Sequence, residues 1–178
     1  MHSHLEEVFT RLDRSREALR AAVDIVPREA RETRPAPDRW SAAEVVEHLS
    51  RVETIFGGRI EQAIQARASA LARETAARVA LPESIEARMV DRVNKRTAPE
   101  PAHPTGTLSC EAAWGAFETG HARFRAIVGA ADGLALSEVT VDHPFFGTLT
   151  IYQWIELMAA HEGRHTEQIR EIAASLAV

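Results

Sequence analysis

Two histidines near the C-terminal end of the sequence have a spacing that suits a shared metal ion. His161 and His165 are four residues apart, so on a helix the two imidazoles lie on one face, about one turn apart. Trp154 and Met158 precede them with the same helical phase, which predicts that both histidines face the inside of the protein. The pattern indicates two metal ligands on one buried helix face.

His48 is a third candidate ligand, from a different segment. It follows Val45 by three residues and precedes Val52 by four, which places it on the inward face of its own predicted helix. Three buried imidazoles are costly unless each has a polar partner, and one divalent ion satisfies all three. Neutral imidazole suits Zn, Ni, Fe or Cu, and three protein ligands leave a position open for water or substrate. The alternative for each residue alone is a hydrogen-bonded core histidine.

The segment around Glu162 also matches a protease motif. His161, Glu162 and His165 fit the His-Glu-x-x-His pattern of zinc proteases, in which the glutamate is the general base. The Gly-x-x-His continuation found in one large group of those enzymes is missing here, so a protease is not the favoured interpretation. Glu162 is the catalytic candidate if it contacts a water at the ion. The other interpretation is a solvated or salt-bridged residue.

Two predicted helices in the N-terminal half would position His48. The first has an apolar stripe over residues 5–26 and ends at Pro27. The second begins with a capping box of Ser41 and Glu44, and Trp40 packs on Val45 as a hydrophobic staple. Its Ala-, Arg- and Gln-rich continuation predicts that this helix extends to about residue 75.

Two further helices follow in the C-terminal half. The third begins near Ser109, and the fourth begins near Thr150 with Gln153 completing a capping box. Along the third helix, His121 falls on the inward seam, either as a further ligand or substrate contact or, as we favour, as a core histidine with one hydrogen bond. The residues of this seam are Cys110, Trp114, Phe117, His121, Phe124 and Val128.

The connections complete an all-α architecture. A short helix is predicted over residues 82–96, an ordered but irregular Pro-rich crossover over 97–107, and an extended loop or tiny hairpin over 139–148, with His143 in a structural role. Such a long crossover between helices two and three permits parallel neighbours. We therefore expect a four-helix bundle that forms one domain over residues 1–178.

Composition limits the function classes. Hydrophobic residues make up 45% of the 178 residues and charged residues 26%, as in soluble globular proteins. No apolar run approaches the ~20 residues of a membrane span, and no signal peptide is recognisable. The single cysteine, Cys110, favours a reducing, cytoplasmic environment. The net charge of −5 with interspersed Arg and Glu makes nucleic acid a poor partner.

The order of these motifs resembles the DinB-like (YfiT-like) metal-binding superfamily. The resemblance rests on the segment from Trp40 to Leu49, on the His-Pro-x-x-Gly loop at 143–147, and on His161-x-x-x-His165-x-x-Gln168-Ile169. It implies an up-down-down-up bundle, a histidine triad that carries over to His48, His161 and His165, and commonly a homodimer. Characterised members of the family include transferases and isomerases that use bacillithiol or mycothiol, and others are described as metal-dependent hydrolases.

Two functions follow as hypotheses. In the first, the protein is an enzyme whose Zn, Ni or Fe ion activates water or a low-molecular-weight thiol for a small-molecule substrate. Its pocket would have Trp114, Phe117, Trp154 and Met158 as apolar walls, and Arg51, Glu162 and Arg164 could contact the substrate. In the second, the protein is a non-catalytic metal binder or a bundle stabilised by its metal, with a role as a stress-response or sensor protein. A ligand sphere closed by a fourth side chain such as His121 would favour this second hypothesis.

Overall fold

Four long helices form the body of the protein. The computed structural model describes residues 1–94 and 97–176. The helices of this described part are α1 (Ser3–Ile25), α2 (Ala42–Arg67), α3 (Glu83–Val90), α4 (Cys110–Ala130) and α5 (Ile151–Leu176), and a hairpin consists of β1 (Thr140–His143) and β2 (Gly147–Thr150). The prediction of an all-α bundle with a tiny hairpin is confirmed.

Both predicted capping boxes are present. The Ser41 hydroxyl accepts from the Glu44 amide at 3.2 Å, and the Glu44 carboxylate accepts from the Ser41 amide at 2.9 Å. At the start of α5, the same exchange joins Thr150 and Gln153 at 3.3 and 3.0 Å. Each box satisfies amides that the first helical turn leaves without partners. The two helices that carry the candidate ligands therefore begin at fixed residues.

The core fixes the direction of each helix. One apolar cluster joins the beginnings of α1 and α5 to the ends of α2 and α4, and a second cluster joins the opposite ends. It follows that α1 is parallel to α5, and that α2 is parallel to α4 and antiparallel to the other pair. This is the up-down-down-up order, with the long crossover between α2 and α4 that parallel neighbours require. Representative members of the first cluster are Leu5, Val8, Ile60, Ile64, Phe124, Val128, Ile151 and Ile155, and of the second Leu19, Val23, Val45, Leu49, Ala113, Phe117, Ile169 and Ile172.

Two helix ends differ from the prediction. α2 ends at Arg67 rather than near residue 75, because the following segment pairs with a distant turn: the Glu74 amide donates to the Gly133 carbonyl at 2.9 Å and the Ala135 amide to the Ala72 carbonyl at 3.0 Å. These tertiary hydrogen bonds override the helical propensity of the local sequence.

The short helix is also shorter than the predicted range of 82–96. α3 ends at Val90, where the Asp91 side chain accepts from the Val93 amide at 2.8 Å and stops the helix. Val93 is consequently 90% exposed and does not share a face with Ile85 and Met89. Residue 96, the predicted end, lies outside the described residues. The crossover that follows is irregular except for one 3-10 turn at Glu100–Ala102.

Among the helices of the described part of the chain, none combines the length and the apolar character that crossing a bilayer would need.

Candidate metal centre

The three predicted ligands converge on one point. One ring nitrogen from each of His48, His161 and His165 lies within 4.8 Å of the other two. The Nε2 atoms of His161 and His165 are 3.0 Å apart, because the two residues stand one turn apart on α5. The His48 ring reaches them from α2, with centroid distances of 5.4 Å to His161 and 5.0 Å to His165. The site therefore joins two helices of the bundle.

Hydrogen bonds behind the ligands orient two of the rings. His48 Nδ1 lies 2.8 Å from the Ala102 carbonyl oxygen in the crossover. His165 Nδ1 lies 2.8 Å from the Gln168 side-chain oxygen, one turn further along α5. A carbonyl oxygen can only accept, so each Nδ1 carries the proton and each Nε2 presents its lone pair to the centre of the triad. This arrangement is typical of metal-ligating histidines.

Burial keeps the triad neutral. Desolvation lowers the pKa of His48 to about 4, although the hydrogen bond to Ala102 opposes the shift. Desolvation, together with the neighbouring imidazoles, lowers the pKa values of His161 and His165 well below the usual 6.5. All three side chains are therefore unprotonated at neutral pH, the state in which imidazole binds a metal.

The donor set fits a divalent ion. Two ligand nitrogens at ~2.1 Å from one ion lie ~3.0–3.4 Å apart for ordinary coordination angles, and the His161–His165 separation of 3.0 Å matches this. Three neutral nitrogens suit the borderline transition metals better than Mg²⁺ or Ca²⁺, which prefer oxygen. In the described part of the chain, no other His, Cys, Asp or Glu joins this group.

His121 lies elsewhere. Its Nδ1 is 3.0 Å from a Glu53 oxygen and 3.2 Å from Arg16 Nη2, and its Nε2 is 3.7 Å from Asp13. His121 thus belongs to a polar cluster between α1, α2 and α4. The favoured interpretation was a core histidine with one hydrogen bond, whereas the structure places a half-buried His121 among three charged side chains and outside the triad.

Glu162 takes part in the same polar cluster. Arg16 Nη2 donates to one carboxylate oxygen at 2.7 Å, and the Ser15 hydroxyl donates to the other at 2.8 Å. Burial raises the pKa of this carboxyl, while the Arg16 guanidinium opposes the shift. Although Glu162 also lines the cavity described next, both of its oxygens are held by α1 side chains. A role as catalytic base stays a prediction.

A cavity of about 540 Å³ adjoins the triad. All three histidines line it, and it reaches the surface, where Asp38, Phe145 and Glu171 are exposed. This volume lies within the ~300–1,000 Å³ of small-molecule sites. The candidate metal position is therefore buried but accessible to a small molecule.

The cavity walls match the prediction in part. Phe117, Trp154 and Met158 line the cavity as predicted. Trp114 is not among the lining residues: it packs in the second apolar cluster, and its indole nitrogen donates to Glu118 at 2.7 Å. The prediction for Trp114 was wrong because the seam of α4 is divided between the cavity and the interior of the bundle.

Of the two arginines predicted to contact the substrate, one lines the cavity and the other does not. Arg51 Nε donates to the Pro101 carbonyl at 3.1 Å, and Arg51 does not line the cavity. Arg164 lines the cavity and donates to the backbone carbonyls of Met89 and Asp91 at the end of α3. Arg51 therefore anchors the crossover, whereas Arg164 holds the end of α3 against the cavity.

Several site residues were not identified from the sequence. Gln168 was recognised only as part of the motif, although its position three residues after His165 is a usable signal for an orienting residue. The Ala102 carbonyl leaves no signal, because its contact with His48 crosses 54 residues. Further lining residues that were missed include Trp40, Glu53, Phe56 and Phe146.

Comparison with known proteins identifies one family. The model of the DinB superfamily matches residues 11–169, which includes all three histidines. The uncharacterized protein YuaE of Bacillus subtilis (strain 168) is 27% identical over 151 residues, which is 78% of this chain and 80% of that protein.

A solved structure shares the fold. The chain is similar to TT2238, a four-helix bundle protein, with a TM-score of 0.56 and 20% sequence identity over 94% of this chain and 98% of that one. At this level of identity the likeness concerns the architecture alone.

Proposed function

Because the chain belongs to the DinB superfamily, we propose that it is a metal-dependent enzyme whose divalent ion, held by His48, His161 and His165, activates a small nucleophile towards a small-molecule substrate. One observation carries this proposal: three neutral imidazole nitrogens face a cavity of about 540 Å³ that is accessible from the surface. Three protein ligands with access for a fourth are typical of catalytic rather than structural sites.

The bound ion would lower the pKa of a thiol or a water, so that the nucleophilic anion forms near neutral pH. Zn, Ni and Fe all suit three imidazoles. Because the ligand set has no carboxylate, the charge of the ion would not be compensated by the protein. The site therefore favours an anionic partner.

The surroundings of the triad favour a thiol over water. Hydrolysis commonly uses a carboxylate as general base. The three glutamates that line the cavity have their oxygens committed: Glu53 to Arg16 and His121, Glu162 to Arg16 and Ser15, and Glu171 to Arg92. A thiol, with an ordinary pKa near ~8.5, ionises at a metal more readily than water does and needs no such base. We therefore place thiol transfer first and hydrolysis second.

A non-catalytic role is the second candidate. The triad links α2 to α5, so an ion bound there would cross-link the bundle and stabilise it whether or not it reacts. The accessible cavity argues against this role being the only one, since a purely structural site needs no such opening.

A homodimer and a cytoplasmic location are part of the proposal. The homodimer rests on the resemblance to the family, and the cytoplasmic location rests on the single cysteine, Cys110, which is buried. Light scattering on the purified protein would test the first, and fractionation of the source cells the second.

The decisive experiment is turnover by the metal-loaded protein. Zn-, Ni- and Fe-loaded samples would be incubated with low-molecular-weight thiols and electrophiles, and separately with small esters and amides. We expect thiol transfer that disappears when the metal is removed and returns when it is restored, and that is absent in the His161→Ala variant. If no metal form turns over either substrate class, the protein is a metal binder without catalytic function.

A further inference from the structure

We propose that the end of the cavity beside Trp154 is a subsite for a flat, apolar group, so that the substrate is an aromatic or otherwise planar unsaturated molecule. This inference rests on the proposed function, because it assigns the part of the substrate that lies away from the metal. Three observations support it: the arrangement of four aromatic rings, the hydrogen bonds that their polar atoms make, and the distance of the rings from the triad.

The first observation is a continuous aromatic wall formed by Phe56, His143, Phe146 and Trp154, all of which line the cavity. The Trp154 ring lies 4.7 Å from Phe56 and 5.1 Å from His143, and the His143 ring lies 4.8 Å from Phe146, between centroids. Phe56 and His143 are stacked, with an angle of 17° between their planes. Such an assembly presents ring faces and edges, which pack best on another flat group.

The second observation concerns the polar atoms of this aromatic wall. Trp154 Nε1 donates to the Val141 carbonyl at 2.9 Å, and His143 Nδ1 accepts from the Phe145 amide at 3.1 Å. Both atoms thus make hydrogen bonds to the backbone of the hairpin, and these bonds hold the two rings in place. Met158 adds a thioether beside the indole, a group that contacts aromatic rings favourably. A ligand would therefore meet a largely apolar surface here, to which His143 Nε2 adds one polar atom.

The third observation is the position of the aromatic wall along α5. Trp154 precedes His161 by seven residues, a rise of ~10 Å, and Met158 lies between them on the same helix face. The charged residues Arg92 and Glu171 line the other end of the cavity, beyond His165, where Arg92 donates to Glu171 at 2.6 Å. Because these two charges pair with each other, a molecule with its reacting atom at the triad would place its apolar part against Trp154.

The test uses a matched pair of metal-binding probes. We would measure by calorimetry the affinity of the zinc-loaded protein for 2-naphthohydroxamic acid and for its saturated analogue with the decahydronaphthalene skeleton. The two share the metal-binding head and the carbon framework, and differ in flatness. We expect the flat probe to bind about fivefold to tenfold more tightly.

The variant Phe56→Leu keeps an apolar side chain but removes one ring, and should bring the two affinities to within about twofold. Val79→Ala, at an exposed position outside the cavity, should keep the wild-type difference. Equal affinities in the wild type, or an unchanged difference in Phe56→Leu, would overturn the subsite.

A metal-free arm separates the two proposals. The metal-free protein would be titrated with 2-naphthol and with decahydro-2-naphthol, neither of which needs the ion. Preference for 2-naphthol supports the subsite even if the triad binds no metal and the proposed function fails. Conversely, hydroxamates that bind only with zinc, but without preference for the flat probe, would leave the metal site intact and overturn the subsite.

Discussion

Single atoms behind the ligands orient two of the three imidazole rings. His48 and His165 each present Nε2 to the same point only because Nδ1 is held by the Ala102 carbonyl or the Gln168 amide oxygen. Without these acceptors, each ring could rotate or exchange tautomers, and the three lone pairs would no longer converge. The affinity for metal should therefore respond to both kinds of residue, to different extents.

Removing a ligand should nearly abolish binding. We expect His161→Ala to lower the affinity for Co²⁺ by more than ~100-fold, since even loss of an orienting residue costs ~10–100-fold. Titration followed by visible absorption measures this. His121→Gln is the control: it alters an inward histidine that contacts Glu53 rather than the triad, and its Co²⁺ affinity should equal that of the wild type. Wild-type affinity in His161→Ala would contradict the assignment.

Removing the orienting amide should weaken binding without altering the fold. For Gln168→Leu we expect a loss of ~10–100-fold in Co²⁺ affinity, because the His165 ring is no longer fixed. The circular dichroism spectrum should be unchanged. Gln65→Leu changes an exposed glutamine on α2 that donates to Glu61 and should have no effect. If both variants bind alike, Gln168 has no orienting role.

At the scale of the element, the start of α2 determines where His48 stands. Burial alone would raise the pKa of Glu44, but hydrogen bonds from Arg34 and from the Ser41 amide lower it below the ordinary 4.5. The unfolded chain is therefore protonated at this residue before the folded protein as the pH falls. The contribution of Glu44 to stability is complete above its ordinary pKa and is lost as the pH falls through the folded-state pKa.

The variant Glu44→Gln tests this dependence. We expect a loss of about 1 kcal/mol in the free energy of unfolding at pH 7, and a smaller difference from the wild type at pH 3, measured by urea denaturation. Glu17→Gln, at an exposed position on α1, should differ little from the wild type at either pH. If the loss in the free energy of unfolding caused by Glu44→Gln grew on acidification, the prediction would be contradicted.

The elements also show what the sequence could and could not predict. Helix caps and apolar periodicity depend on residues that are close together in the sequence. It was therefore possible to predict the starts of α2, α4 and α5 and the inward orientation of the three histidines. The end of α2 could not be predicted, since it depends on hydrogen bonds from Glu74 and Ala135 that link segments about 60 residues apart. The same holds for the Ala102 contact and for Trp114, whose surroundings are set by packing between helices.

At the scale of the whole molecule, an ion bound by the triad would join α2 to α5. An ion that binds only the folded protein stabilises it by ~2.7 kcal/mol at a free concentration of 100 times its Kd. For a chain of this size we expect Zn²⁺ to raise Tm by about 5–10 °C, measured by calorimetry, with reversal by EDTA. His161→Ala should show no such increase. If the Tm of the wild type did not change at saturating Zn²⁺, the ion would not stabilise the fold by joining α2 to α5.

The parallel pairing of the first and last helices has a consequence for biosynthesis. Ser15 on α1 donates to Glu162 on α5, across 147 residues, and the triad joins His48 to two residues from the last helix. While the ribosome is still translating the middle of the message, α1 and α2 have emerged, but α5 and α4, the helices on which they respectively pack, do not yet exist. Their apolar faces are exposed to solvent during this time, and exposed apolar surface is what chaperones bind. A metal ion could therefore bind the complete triad only after α5 has been synthesised and has docked.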